Sequence, residues 1–344
     1  MHYIRKKRIE SGEKLKQQPC EFFFRLLPVD FADSMCKLLI YMIMFALIYD
    51  FMLQYKILKK WDVFPLLAKI IETLICLFTI NTERNLKMTV NILAVGDVCG
   101  KTGIDFLYQN LSSIKKSKNI AFTVVNGENA NIVGITPTQA ENIFSAGADV
   151  ITLGNHTWAR WEIKEYLQSN NRILRPANFA LCCPGMGHNT YQTPFGEIAV
   201  INLIGRFTLD SNTDNPFYVV DEILTSLRTK MVLVDMHAEA TSEKAAMGYY
   251  LDGRVSAVWG THTHVQTSDA GVLQKGTGFI TDLGMTGPAI SVLGIEPRQS
   301  IDKFLGEPPR RYETAEGPGK IECAVFTLDT ETGRCLNVEA MRIQ

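Results

Sequence analysis

Beyond residue 88 the sequence is built from short apolar runs that stop, one after another, at side chains able to bind a metal ion. Residues 91–95 end in Gly96-Asp97, residues 121–125 in Asn126-Gly127-Glu128-Asn129, and residues 149–153 in Gly154-Asn155-His156. An apolar run of this length bounded by turn residues is the signature of a buried strand. Between the runs lie helical patterns. Residues 104–114 carry apolar side chains at helical spacing, and Thr136-Pro137 places an N-cap and an N1 proline ahead of a helix reaching about Ala146. Further strands are expected at 198–203, 231–235, 256–259 and 279–281, with 324–328 and 336–341 as a terminal pair. The alternation predicts an α/β fold, strand layers covered by helices, with mixed rather than purely parallel sheets toward the C-terminus. Residues 306–319, rich in Gly and Pro, read as a surface loop.

The polar stops share a chemistry. Asp97, Glu128-Asn129, Asn155-His156, His237 and His262-Thr263-His264 offer carboxylate, carboxamide and imidazole, and four of the six histidines of the chain fall among them. In open α/β folds the groups beyond the carboxyl ends of strands converge on one crevice, so residues about 170 positions apart can meet. This mixture of donors suits borderline divalent ions such as Mn²⁺, Fe²⁺ or Zn²⁺. Two cations about 3.5–4 Å apart need a bridging carboxylate and supply a nucleophilic hydroxide at neutral pH. His262 and His264, two residues apart, are expected to address neighbouring ions from one extended segment. Taken singly, an Asp or Asn after a strand is a turn or helix cap, and a lone buried His is a hydrogen-bonded core residue; the ordered series at successive strand ends is what points to a metal centre. No HExxH occurs, which argues against a zinc peptidase.

Composition limits the partners. The net charge is −1 and residues 88–344 contain no long Lys/Arg block, so no surface for long nucleic acids is indicated, whereas a small phosphorylated substrate is compatible. Eight cysteines without a CxxC pair read as reduced thiols of a cytoplasmic protein. Residues 1–87 differ in character: a basic start with Arg5-Lys6-Lys7-Arg8, then apolar runs at 38–58 and 63–80 interrupted by Asp50, Lys56, Lys69 and Glu72. Three accounts compete for this apolar, basic, helical extension: a membrane or interfacial anchor, a helical hairpin packed on protein, or a segment that is not part of the natural product. The last is preferred, because Met88 is followed directly by a strand-like run; membrane association would arise only if residues 1–87 insert, which Asp50 disfavours.

The series Gly96-Asp97, Gly154-Asn155-His156, His237 and Gly260-Thr261-His262-Thr263-His264 resembles that of the calcineurin-like metallophosphoesterases. Within them the chain is similar to the bacterial YmdB-like group, described as 2′,3′-cyclic-nucleotide 2′-phosphodiesterases. Asn126-Gly127-Glu128-Asn129-Ala130, Arg175-Pro176-Ala177-Asn178-Phe179, the stretch from His237 to Lys244, Gly260 to Gln266, and Asp282 to Pro288 carry the resemblance, which runs from about Met88 to the C-terminus. It implies a four-layer α/β/β/α sandwich over residues 88–344 and a centre of two metals, iron or manganese. Asp97, Glu128, Asn129 and His264 would hold the first; Glu128 as bridge, Asn155, His237 and His262 the second; and His156 would be the proton donor for hydrolysis of a cyclic nucleotide or similar phosphodiester by a metal-bound hydroxide. Cys99 stands where the wider superfamily has His and is read as packing, and Ile104 stands where the group often has Arg. Arg175 and Arg206 are candidates for gripping phosphate oxygens, Thr241-Ser242 for capping a helix that favours an anion, and Glu239 and Asp282 for orienting histidine ligands. A phosphomonoesterase, nucleotidase or protein phosphatase on the same two metals, or a metal-containing regulatory scaffold, are the alternatives, and a homo-oligomer is left open.

Overall fold

The structure is a computed structural model that describes residues 89–209, 212–308 and 310–344, together with Lys69. Residues 1–87, Lys69 apart, lie outside the described residues, and so does the extension expected there. Among the described residues no helix is long and apolar enough to cross a membrane.

The first apolar run forms β1 (Thr89–Val95), and its alternation explains the layering. Leu93 and Val95 face a core shared with helices, whereas Ile92 and Ala94 face the opposite way into a core between two sheets. A strand buried on both faces reads as a continuous apolar run, which is how β1, β3 (Ile120–Asn126) and β4 (Val150–Thr152) are written. These three pair in parallel, and β5 (Ile173–Leu174) continues the sheet. On the other side of β1 runs the antiparallel β13 (Gly319–Asp329), which also pairs β14 (Cys335–Ile343) and β12 (Met285–Pro288); β12 in turn pairs β2 (Asp97–Val98).

The second sheet runs in the order β10 (Gly271–Val272), β11 (Gly278–Ile280), β9 (Ala257–Thr261), β8 (Met231–His237), β7 (Gly196–Ile204), β6 (His188–Thr193). Its four middle strands are parallel, and β10 and β6 pair antiparallel at its two edges. Val200, Leu233, Trp259 and Ile280 meet Ile92, Ala94 and Val124 between the sheets.

Helices close both outer faces. Leu107 and Leu111 of α1 (Gly100–Ser117) and Ile143 of α2 (Pro137–Ala146) pack on the first sheet, with Ile163 and Leu167 of α3 (Ile163–Ser169). Val220 of α4 (Pro216–Ser226) and Met247 and Leu251 of α5 (Thr241–Leu251) cover Ile201, Val234 and Met236 of the second. A sixth helix, α6 (Pro297–Phe304), follows β12. Three successive cores separated by two sheets make the four layers α/β/β/α. The expected N-terminus of α2 is a full capping box: Gln139 N–H donates to Thr136 Oγ1 at 3.3 Å, and Thr136 N–H donates back to Gln139 Oε1 at 3.0 Å.

Two local expectations are corrected. The N-cap of α5 is Ala240, which makes no side-chain cap, so Thr241 is already helical. Its place follows from Glu243 and Lys244, whose N–H groups both bond the Ala240 carbonyl. His262 and His264 do not lie on an extended segment. β9 stops at Thr261, and both histidines sit in the left-handed region, at φ 100° and 61°. The backbone turns sharply there because Asp282 pins Thr263 between them, accepting from its N–H at 3.2 Å and its hydroxyl at 2.7 Å.

Candidate metal centre

Each predicted donor stands at or just past the end of a strand: Asp97 in β2, Glu128 and Asn129 after β3, Asn155 and His156 after β4, His237 as the last residue of β8, and His262 and His264 after β9. Sheet pairing therefore brings the ends of both sheets to one place, and the side chains meet there.

Around His237 the meeting is close. Its Nε2 lies 3.0 Å from Glu128 Oε1, 3.0 Å from Asn155 Oδ1 and 3.1 Å from His262 Nδ1. Its other nitrogen, Nδ1, is 2.9 Å from Thr261 Oγ1. The Thr261 hydroxyl donates to Asp235 Oδ1 at 2.7 Å, so its lone pairs are what remain to accept from His237. That chain of bonds puts a proton on His237 Nδ1 and turns Nε2 toward Glu128, Asn155 and His262. His262 is arranged likewise, its Nε2 lying 3.0 Å from Glu239 Oε2 and its Nδ1 turned inward. Acceptor atoms of Glu128, Asn155 and His262 thus all lie within 3.1 Å of His237 Nε2, a crowding that a positive charge at that place, proton or metal cation, would satisfy.

Beside this cluster a second group gathers. His264 Nε2 is 3.2 Å from Asn129 Oδ1 and 3.9 Å from Asp97 Oδ1, and its Nδ1 is held at 3.0 Å by the Leu293 carbonyl. Asp97 is fully buried; Oδ2 accepts from the His262 N–H at 3.1 Å, while Oδ1 has no hydrogen-bond partner. A buried carboxylate oxygen without a donor is costly in a protein interior and is the second feature that fits a cation.

Protonation follows the same crowding. Burial pushes the Asp97 carboxyl up to about 6, against the pull of His264 and His237. Burial would also raise Glu128, but the His237 charge, its hydrogen bond and the nearby His156 bring it down to about 2. Burial alone would lower His237; the Glu128 carboxylate, backed by Asp97 and Asp235, overrides it and holds His237 up at about 9. A proton there occupies the place of a positive ion. Burial, then the His237 charge, drives His262 down to about 3.

His156 is joined to the same centre. Its backbone N–H donates to Glu128 Oε2 at 3.1 Å, and its ring Nε2 lies 3.3 Å from Asn155 Nδ2. A Cβ on Gly154 would fall 2.3 Å from Glu128 Oε2 and from His237 Nε2, so only glycine lets the backbone pass. The remaining candidates separate. Arg175 is buried and spends its guanidinium on the carbonyls of Pro176 at 2.8 Å and Cys183 at 3.4 Å, an anchoring of its own loop rather than a fork held out to phosphate. Arg206 is exposed, and its backbone N–H donates to Glu243 Oε1 at 3.0 Å. Glu239 touches His262 directly. Asp282 touches no histidine side chain: it binds Thr263 and, at 2.5 Å, the buried Lys244 ammonium, because α5 delivers that lysine into its reach. Burial pushes the Cys99 thiol up to about 12, and it packs against Gly294.

Residue types alone do not single out Asp235, Thr261, Asn126 or Thr152. Asp235 accepts from Thr152 Oγ1 at 2.6 Å, Thr261 Oγ1 at 2.7 Å and Asn126 Nδ2 at 3.3 Å, beneath the metal-binding candidates. The signal that would have found them is a polar residue inside an otherwise apolar strand, as Asp235 is in β8.

Known proteins resemble this chain over the whole of that fold. The 2′,3′-cyclic-nucleotide 2′-phosphodiesterase of Bacillus subtilis (strain 168) is 42% identical over 257 residues, covering 74% of this chain and 97% of that protein. A crystal structure of a hypothetical protein from Thermus thermophilus superposes with a TM-score of 0.69 at 34% identity, covering 74% of this chain and 99% of its own. That of a novel phosphatase from Mycoplasma pneumoniae gives a TM-score of 0.70 at 33% identity, with 74% and 93% covered. The signature of the family described as YmdB-like protein spans residues 93–341, from the middle of β1 into β14, and so takes in every strand end that carries a donor: the chain belongs to the YmdB-like family.

Proposed function

We propose that the protein is a metal-dependent phosphoric diester hydrolase acting on 2′,3′-cyclic nucleotides or closely related diesters. The observation that carries this is the convergence on His237 Nε2 of lone pairs from Glu128, Asn155 and His262 within 3.1 Å, beside the unpartnered Asp97 Oδ1. Asp97, Glu128, Asn129 and His264 would hold one ion, and Glu128, Asn155, His237 and His262 a second, with Glu128 shared. The donor set of carboxylates, carboxamides and imidazoles suits iron or manganese. Such a pair of cations supplies a nucleophile at neutral pH and neutralises charge on the phosphoryl oxygens.

The chain's own residues do the rest. Glu128 fixes the centre and, through Oε2, holds the His156 backbone. The His156 ring then stands next to Asn155, where it can give a proton to the departing ribose 2′-oxygen as the P–O2′ bond breaks and a 3′-phosphate forms. An alkoxide leaves poorly, so this proton matters most for substrates with alkyl leaving groups. The name of the B. subtilis relative supports the substrate class.

We further place the catalytic domain at residues 88–344. Relatives matched over 97% and 99% of their own length leave about a quarter of this chain outside the match, and the family signature begins at residue 93. A cytoplasmic location is supported by the described cysteines, Cys99, Cys182, Cys183, Cys323 and Cys335, all of them free thiols.

The test is elemental analysis of the purified protein together with hydrolysis of 2′,3′-cyclic AMP and of a monoester panel with Mn²⁺. Stoichiometric transition metal and preference for the cyclic diester are expected; preference for monoesters would reject the diester assignment. His156→Ala should keep its metal and lose about 10²–10⁴ in rate on the cyclic nucleotide, with a smaller loss on p-nitrophenyl esters, whose leaving group needs no proton. Equal losses on both would remove His156 from the role of acid.

A further inference from the structure

Beside His262 lies an open cavity of about 530 Å³, walled by Phe207, Glu239, Thr241, Thr263 and Val265 among others. It adjoins the metal centre through two of its walls: Glu239 contacts His262 Nε2 at 3.0 Å, and Thr263 is the residue between the two histidines. We infer that this cavity seats the nucleobase of the substrate, with Phe207 as the face on which the base stacks. The inference rests on the cyclic-nucleotide reading of the metal centre and adds to it the site that recognises the other end of the molecule.

Three observations set Phe207 apart from an ordinary exposed hydrophobic residue. It is 66% exposed, yet its backbone is clamped: Arg206 N–H and Phe207 N–H both donate to the Glu243 carboxylate of α5, at 3.0 and 3.4 Å. The approach is so close that a Cβ at Gly205 would fall 2.4 Å from Glu243 Oε2. The next residue, Thr208, is held at φ 62°, a region β-branched residues seldom enter, with its hydroxyl donating to the Phe207 carbonyl at 2.7 Å. Backbone strain of this kind persists where the surroundings over-determine it, and it is found at ligand clamps. A ring carried on a clamped backbone, open to solvent and lining a cavity beside His262, has only its side-chain torsions left to lose when a flat ligand stacks on it.

The rest of the wall fits a base. Val265, 56% exposed, adds apolar surface, and the polar groups of Thr241, Thr263 and Glu239 offer hydrogen bonds at the edge. The volume falls within the range of about 300–1,000 Å³ usual for small-molecule sites. Because every base presents a π face, stacking of this sort tolerates all of them.

The experiment uses the full-length, metal-loaded protein and two cyclic diesters that differ only in the base: 2′,3′-cyclic AMP and the 2′,3′-cyclic phosphate of methyl β-ribofuranoside. The wild type is expected to prefer the nucleotide in kcat/KM by about 10- to 100-fold, the worth of one stacked base. Phe207→Ala should reduce that preference by about tenfold or more, through KM rather than kcat, and Phe207→Trp should restore it. Unaltered melting temperatures in both variants verify that the fold is retained. A wild-type preference near one, or a Phe207→Ala preference equal to that of the wild type, overturns the inference and leaves the phosphodiesterase reading standing. Failure of the wild type to hydrolyse either diester overturns that reading and the inference with it.

Discussion

Thr261 decides which nitrogen of His237 is available. Its hydroxyl donates to the buried Asp235 and accepts from His237 Nδ1, so Nε2 is the nitrogen turned toward Glu128, Asn155 and His262 and left for a metal. Thr261→Val keeps the shape and removes the relay. Metal affinity is expected to fall about 10- to 100-fold, read by titration with a competing chelator, and stability by roughly 1–3 kcal/mol as Asp235 loses a donor. Gly154→Ala should be more damaging to metal, since the new methyl would sit 2.3 Å from both Glu128 Oε2 and His237 Nε2; no bound transition metal in a variant that still folds is the expected result of elemental analysis. The cysteines give a prediction of different kind. Burial holds Cys99, Cys323 and Cys335 at about 12, while Cys182 is exposed. Iodoacetamide at a pH of about 8 should therefore modify Cys182 in the native protein and spare those three until denaturant is added, as peptide mass mapping can check.

At the level of elements, what positions the histidine turn is a contact between α5 and the loop after β11. Lys244 and Asp282 side chains are both about 1% exposed and form an ion pair at 2.5 Å, and Asp282 also ties down Thr263 and the Gly284 N–H. Removing one member of a buried pair strands the other charge, so Lys244→Ala is expected to cost about 3–5 kcal/mol in urea denaturation. Lys244→Met combined with Asp282→Leu should cost less than the sum of the single changes. Helix α2 is simpler. Thr136-Pro137 is visible as a start signal because capping is a local matter, and the box forms as expected. The start of α5 is less readable: Thr241-Ser242 look like a cap, yet Ala240 takes that place, because the chain leaving β8 at His237 sets where the helix begins.

In the whole molecule, the donors come from both sheets: Asp97, Glu128, Asn129 and Asn155 from strand ends of the first, His237, His262 and His264 from those of the second. A cation bound here would tie together the ends of the two layers. Exhaustive chelation is expected to lower the melting temperature, and Mn²⁺ at about 100 times its dissociation constant to return about 2.7 kcal/mol. No change in melting temperature on chelation of a metal-replete sample would contradict a centre that spans both sheets. The same scale carries the domain proposal: a protein comprising residues 88–344 should melt cooperatively and hydrolyse the cyclic diester at the full-length rate.

The strands of the cores, helices α1 and α2, the mixed sheets and the polar stops at strand ends could be read from the order of residues, because they depend on local periodicity and on a motif series repeated at each stop; β2, β5, β6, β10 and β12, short or polar, carry no such apolar run and were not expected. Asp97 through His264 were recognisable by type and place for that reason. The turn that presents His262 and His264, the relay through Thr261 to Asp235, the commitment of Arg175 to its own loop and the clamp that holds Phe207 beside the centre were not. Each depends on which residues from distant strands come to lie within about 3 Å of one another, and no local pattern encodes that distance; it is decided only when two sheets pack face to face and bring their ends together.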